Sequence, residues 1–129
     1  LNASGTPDYL EALHSSRAIA ADNTATDPRT HELADRLAHR NVTAILDASI
    51  RVDGQLVGVL CLEQQGTARP WQSDEVAFAG ELADQFAQVI TSQNRRAATS
   101  ALNLFQRAVE QSANAFLLVN WDCACSNNC

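Results

Sequence analysis

The sequence contains no lysine and no methionine, and aromatic residues make up only 5% of its 129 positions. It also lacks any apolar run approaching the ~18–20 residues that a helix needs to cross a bilayer. No basic segment followed by an apolar stretch opens the chain at Leu1, so neither a membrane span nor a signal peptide is expected within it. Positive charge is scarce as well: nine basic residues, all arginine, stand against 15 acidic ones, for a net charge of −6. Only Arg95 and Arg96 are adjacent. Phosphate surfaces demand clustered positive charge, so the balance argues against nucleic-acid binding and against contact with an anionic membrane. The absence of lysine beside abundant alanine suggests a GC-rich bacterial gene.

Catalytic patterns are missing too. The sequence has no glycine-rich phosphate loop, no Ser/His/Asp order resembling a hydrolase and no paired-carboxylate constellation. No catalytic residue is assigned, and the segment is not expected to be an enzyme. Of the four cysteines, Cys61 sits alone in an apolar run, whereas Cys123, Cys125 and Cys129 crowd the end of the chain. A disulfide framework would spread its cysteines through the fold, so a reducing cytoplasm fits better. The Cys123-x-Cys125-x3-Cys129 spacing departs from the C-x2-4-C pairs of structural zinc sites. His14, His31 and His39 match no ligand spacing either and read as helix-surface residues. No metal site is expected.

What remains is a chain with 46% hydrophobic and 19% charged residues, a composition that supports one folded domain rather than disorder. Tyr9, Leu10 and Leu13 begin a short helix ending near Ser15–Arg17, and Ala21–Asp27 reads as a surface loop. Asp27-Pro28 offers a helix start, with Leu33 and Leu37 spaced along an amphipathic Thr30–Arg40 and Asn41 as its stop. Val42–Val52 and Gln55–Glu63 flank Asp53-Gly54, the residue pair of a type I′ hairpin turn. Pairing outward from that turn sets Ile50 opposite Val57, Ala48 opposite Val59 and Leu46 opposite Cys61. One face then carries Leu46, Ala48, Ile50, Val57, Val59 and Cys61, and the other carries Ile45, Asp47, Ser49, Leu56, Gly58, Leu60 and Leu62. The second strand is apolar on both faces and so belongs inside a covered sheet. Gly58 marks a small-residue contact, a close approach or a bulge.

Ser73 is placed to cap a long helix, with Asp74 and Glu75 in its first turn. One apolar stripe runs through Val76, Ala79, Ala83, Ala87 and Ile90. A second, Ala79, Leu82, Phe86 and Val89, has the spacing of a helix seam. The first stripe suits the sheet and the second a partner helix, so a homodimer with those four residues at its interface is expected. Polar residues 91–99 contain no Gly or Pro and extend the helix, helical periodicity resumes through Ala101, Leu104 and Phe105, and Ala115–Val119 is a short strand-like run.

Several stretches together resemble a GAF domain, the small-molecule sensing module of signalling proteins. They are Tyr9-Leu10-Glu11-Ala12-Leu13, Arg17 through Asp22, Asp27-Pro28-Arg29-Thr30 with Glu32-Leu33, and Ala44 through Ile50. Gly54 with Leu56 through Glu63, then Arg69-Pro70-Trp71, Ser73-Asp74-Glu75 and Phe78 through Ala83, complete a match running from about Pro7 to Ile90. Leu104 through Ser112 and Ala115 through Asn120 are similar to the opening helix and strand of a PAS domain, a pattern that the tail to Cys129 does not continue. The resemblance implies an α+β fold, a GAF-like antiparallel sheet flanked by helices with a long C-terminal linker helix. Its organisation would be a sensory domain over residues 1–96, a linker helix over 97–112 and the start of a PAS domain over 113–129. The helix and two strands that normally open a GAF domain are absent. That implies either a piece of the domain or a sheet edge completed by another copy.

The resemblance further implies pocket-wall roles for Tyr9, Leu13, Arg17, Asp22, His31, Ile45 and Asp47, around a small molecule it does not identify. A salt bridge between Arg17 and Asp22 that fixes their loop is the competing reading of that pair. Asp47, which interrupts an apolar strand, faces either the pocket or solvent. The implied function is regulatory: ligand binding relayed through the C-terminal helix to a histidine kinase or to cyclic di-GMP output of the GGDEF/EAL kind. An alternative is a ligand-free dimerisation module, its pocket filled by Tyr9, Leu13, Ile45, Leu60 and Leu62. A thiol enzyme using Cys61 is the third class, since one GAF-like family reduces free methionine sulfoxide. Cys61, expected on a strand among apolar neighbours, reads as buried and inert instead.

Overall fold

The computed structural model describes residues 5–92, 100–107 and 114–119. The polar stretch 93–99 and the tail cysteines Cys123, Cys125 and Cys129 lie outside those residues. Helix α1 (Pro7–Ser15) starts on a proline, whose missing N–H is harmless in the first turn. Strand β1 (Ala18–Ala21) follows. A short 3-10 turn (His31–Leu33) runs directly into α2 (Ala34–His39), and β2 (Val42–Val52) and β3 (Gln55–Gln65) form the long hairpin. Helix α3 (Ser73–Ser92), helix α4 (100–107) and strand β4 (Asn114–Val119) complete the order.

The four strands form one antiparallel sheet in the order β1-β2-β3-β4, so the expected α+β architecture holds. The β4 run, read from sequence as the opening strand of a following domain, pairs here with β3 along Gly58–Glu63. The hairpin turn has Asp53 at φ 51° and Gly54 at φ 76°, the two positive dihedrals a type I′ turn requires. Asn41, at φ 57°, ends α2 as expected.

Three local expectations are corrected. Residues 18–21 form a strand, because their backbone pairs with Ile45–Ala48 although three of the four side chains are alanine. Asp27 does not cap a helix; its carboxylate accepts the Arg29 backbone N–H at 2.9 Å and side-chain bonds from Arg29, while Pro28 lies in the turn. Helix α3 is closed at its start by Glu75 rather than Ser73: the Glu75 carboxylate accepts the Gln72 N–H at 2.8 Å.

The fourth correction decides the site. Val52 pairs with Gln55 as expected, but Arg51 faces Leu56 and Ile50 faces Gly58, leaving Val57 as an extra residue on β3. This bulge beside Gly58 shifts the ladder by one, and with a side-chain period of two it exchanges the faces of everything beyond. Leu60 and Leu62 join Leu46, Ala48 and Ile50 beneath α3, whereas Val59 and Cys61 join Ile45 and Asp47 on the opposite face.

The sheet is covered on both sides. Under α3, Leu46, Ala48, Ile50, Leu60 and Leu62 pack with Ala79, Leu82, Ala83, Phe86 and Ala101. Phe86 meets Phe105 of α4 edge-to-face, with ring centroids 6.1 Å apart. On the other face Tyr9, Leu13, Leu33 and Leu37 lie over Ile19, Ala21, Ile45, Val59 and Cys61. The expected dimer seam is therefore reassigned. Ala79 and Leu82 have no exposed surface, Phe86 is buried, and Val89 packs partly against the same core, so the stripe faces the chain's own sheet and α4.

Candidate functional site

Beneath α1 the sheet carries an unusually polar row for a buried surface. Asp47 is 3% exposed, between the apolar residues Ile45 and Val59 and under the helix. The Tyr9 hydroxyl donates a 2.5 Å hydrogen bond to Asp47 Oδ2. The other oxygen, Oδ1, is buried and accepts no hydrogen bond of acceptable geometry. Cys61 sits directly across the ladder from Asp47, and Glu63 lies across from the neighbouring Ile45. Burial pushes the Asp47 carboxyl up to about 6; the Tyr9 hydroxyl and the Cys61 thiol pull it down, and the Glu63 charge adds to the rise.

Glu63 is buried at the end of this row and accepts a 2.7 Å bond from Arg40 Nη2. Burial raises its carboxyl, and Arg40 opposes that rise by charge and by hydrogen bonding. Two buried carboxylates on adjacent strands are thus treated differently: Glu63 has a cation, while Asp47 has only the neutral donors Tyr9 and Cys61, with Oδ1 outside hydrogen-bond geometry. An orphaned buried acceptor is expensive to keep, and Asp47 Oδ1 is one of three such side-chain atoms among the described residues, with Thr6 Oγ1 and Gln85 Oε1.

Helix α1 is held over this row from both ends. At its C-terminus Ser49 Oγ donates to the Leu13 carbonyl at 2.9 Å, and Arg51 donates to the carbonyls of Leu13, His14 and Ser16. These bonds satisfy carbonyls that the helix itself leaves open. At its N-terminus the Tyr9 N–H donates to Glu32 Oε2 at 3.2 Å.

Of the expected wall residues, the fold brings Tyr9, Leu13, Ile45 and Asp47 together. It places Asp47 against the helix rather than in solvent. His31 stands exposed at the rim, its Nδ1 2.6 Å from the Pro28 carbonyl. Arg17 and Asp22 are elsewhere, and they do not pair with each other. Arg17 forms a 2.6 Å ion pair with Asp84 on α3, and Asp22 Oδ1 accepts the Trp71 N–H at 2.8 Å. Trp71 also donates from Nε1 to the Ala21 carbonyl and packs its ring against the α3-side core, under the Arg69 guanidinium. Leu60 and Leu62, expected as pocket filling, line the opposite face.

Sequence reasoning missed Cys61, Glu63, Ser49 and Arg51 as members of this site. Gly58 was the available signal: a bulge there reverses the faces of Cys61 and Glu63. Ser49 and Arg51 were legible as residues on the Asp47 face of β2 once α1 was known to lie over it.

The family model described as GAF domain matches residues 1–90. Among solved structures, the chain is similar to the cyanobacteriochrome TePixJ GAF domain, at 28% identity and a TM-score of 0.57, over 64% of this chain and 52% of that one. The cyanobacteriochrome receptor PixJ in its dark and illuminated structure matches at 25% identity and a TM-score of 0.59, over 72% of this chain and 62% of that one. The photoproduct state of GAF3 from Slr1393 of Synechocystis sp. PCC6803 shares the fold at 22% identity and a TM-score of 0.59, over 70% of this chain and 57% of that one. The chain thus spans little more than half the length of the solved structures it matches. No curated protein matches it. Among the described residues no helix is long and apolar enough to cross a membrane.

Proposed function

The chain belongs to the GAF domain family, a sensory signalling module, and we propose that it holds a small molecule between α1 and the sheet, with Asp47 as its polar anchor. The observation that carries this reading is the buried Asp47 Oδ1 with no partner in hydrogen-bond geometry, on a carboxyl whose side-chain donors, Tyr9 and Cys61, are both neutral. A ligand with a hydrogen-bond donor or a positive charge on an apolar body would satisfy that oxygen and pack against Leu13, Ile45 and Val59.

The relay follows from how α1 is tied down. A ligand that displaces Tyr9 loosens the helix whose C-terminal carbonyls rest on Ser49 and Arg51. The backbone just beyond that helix is fixed to the same strand, because Ser49 N–H donates to the Arg17 carbonyl at 3.0 Å. The Arg17 side chain in turn holds Asp84 of α3. Movement at α1 thereby reaches the long helix, from which downstream output of the histidine kinase or GGDEF/EAL kind would be driven in a cytoplasmic receptor. Signalling requires the ligand to bind two arrangements of α1 with different affinity, since equal binding shifts nothing. A homodimer through the C-terminal helix remains part of this proposal, its contact moved to the outward side of α3, where Ile90 is exposed.

Native mass spectrometry of the freshly purified chain tests the reading. A retained small mass that is lost in Asp47→Asn or Tyr9→Phe supports it. A folded chain with no retained mass, which no donor-bearing small molecule stabilises, would instead favour the ligand-free interaction module. Tyr9, Leu13 and Ile45, which already fill this face, are the observation behind that second reading.

A further inference from the structure

We propose that Asp8, His31 and Glu32 form a divalent-cation site that fastens the first turn of α1 to the 3-10 turn beside it. The imidazole supplies the most specific part of the argument. Its Nδ1 lies 2.6 Å from the Pro28 carbonyl, and a carbonyl only accepts, so the proton is on Nδ1. In the neutral ring the lone pair is then on Nε2, which points to Asp8 Oδ2 at 4.0 Å. Pinning one ring nitrogen to a backbone oxygen is the arrangement that readies the other for a metal.

One donor atom from each of the three side chains lies within 4.8 Å of the other two. Donors bound ~2.1 Å from a common ion sit roughly 3–3.5 Å apart. Closing the set takes an approach of up to about 1–2 Å, which the exposed Asp8 side chain can supply while His31 keeps its bond to the Pro28 carbonyl. Among the described residues, the ion pairs of arginine go to Asp27, Glu63, Glu75 and Asp84, and none reaches Asp8 or Glu32. Two carboxylates and one imidazole suit a borderline or hard divalent ion such as Mn2+ or Zn2+, with water in the remaining positions.

The site joins residues 23 positions apart in sequence, and Glu32 also accepts the Tyr9 N–H. An ion there fixes the N-terminus of the helix whose tyrosine covers Asp47, and so opposes the release that a ligand must cause. It stands apart from Asp47, and its failure leaves the ligand reading untouched.

Mn2+ binding to the full chain is the test, followed by the electron paramagnetic resonance signal of the free ion. Mn2+ is the probe because thiolates select softer metals, which keeps Cys61 and the tail cysteines out of the signal. The expected result is one ion per chain, with affinity reduced at least about tenfold in His31→Ala and in Asp8→Asn and unchanged in His39→Ala. Mn2+ should also slow amide exchange across residues 7–15 in the wild type and not in His31→Ala. His31→Gln, which keeps a donor for the Pro28 carbonyl, guards against a change in the local fold and should bind as poorly as His31→Ala. Absence of Mn2+ binding by the wild type, or equal binding by the His31 and Asp8 variants, would overturn the proposal.

Discussion

Asp47 faces Cys61 across the β2–β3 ladder because one extra residue, Val57, is accommodated beside Gly58. Without that bulge Cys61 would lie under α3 opposite Leu46, and the row beneath α1 would hold Leu60 and Leu62. The polar character of this face is therefore a product of register, and the energetics of Asp47 follow from it.

Asp47 makes stability depend on pH in a defined direction. Its carboxyl titrates near 6 in the fold against an ordinary 3.8, so the folded chain keeps a proton that the unfolded chain has released. The stabilisation present below the ordinary value is lost as pH rises through the window from about 4 to about 6, and stays lost above it. Asp47→Asn removes the charge and should raise stability at pH 7 by up to about 3 kcal/mol, with the gain vanishing near pH 4. Urea unfolding of both proteins at the two pH values measures it; an equal difference at both would show that Asp47 does not titrate in this way.

Tyr9→Phe acts on the same contact from the other side. It removes the hydroxyl donor from Asp47 Oδ2, leaves the Cys61 thiol as the remaining side-chain donor named for this carboxyl, and should destabilise the fold by about 1–3 kcal/mol at neutral pH. Because the hydroxyl favours the charged carboxylate, its removal should also move the Asp47 titration upward. Carboxyl-carbon NMR across pH 4–8 reads that shift directly.

Leu82→Arg separates the sequence-derived dimer seam from the core position that the fold gives this residue. Leu82 has no exposed surface and packs beneath α3 on the sheet. An unpaired guanidinium there should destabilise the chain by more than about 4 kcal/mol and abolish the cooperative melt, rather than yield a folded monomer. Circular dichroism with light scattering distinguishes the two results.

Gly80→Ala tests the Arg17 contact on α3. A Cβ at this position would meet Arg17 Nε at 2.6 Å, but the neighbour is the far end of a flexible side chain that is 64% exposed. Helix propensity favours alanine by about 0.8–1 kcal/mol. The exposed ion pair that must shift contributes about 0–1 kcal/mol. The expected net outcome is a small gain in thermal stability, accompanied by loss of the Arg17–Asp84 pair. If the relay runs through that pair, the variant keeps ligand binding while its effect on the end of α3 weakens, as amide exchange over 85–92 would report.

Much of this fold was legible along the chain. Asp53-Gly54 specified the hairpin through its positive dihedrals, the apolar spacing of Tyr9 with Leu13 and of Ala79 with Leu82 marked helices, and Asn41 marked a stop. Asp47 stood out as a charge inside an apolar run. These signals are local, since each depends on residues within a turn or two, whereas the grouping of Tyr9, Leu13 and Ile45 with Asp47 was implied only by the resemblance to GAF domains.

Tertiary structure decided what local signals could not carry. A strand of three alanines and one isoleucine has no intrinsic mark, and β1 exists because β2 offers it a ladder. A bulge moves every later side chain to the other face for the gain of a few buried leucines, so Cys61 and Glu63 reached the Asp47 row only through packing. Arg17 and Asp22, five positions apart, found partners on α3 and at Trp71 because folding brought those groups nearer than they are to each other. A separation of 23 positions in sequence hid Asp8 from His31. Both apolar stripes of α3 turned out to be largely covered by the chain itself, with Phe86 meeting Phe105 of α4 and Ile90 left exposed. Periodicity reports that a face is apolar, and only the folded chain supplies the surface that covers it.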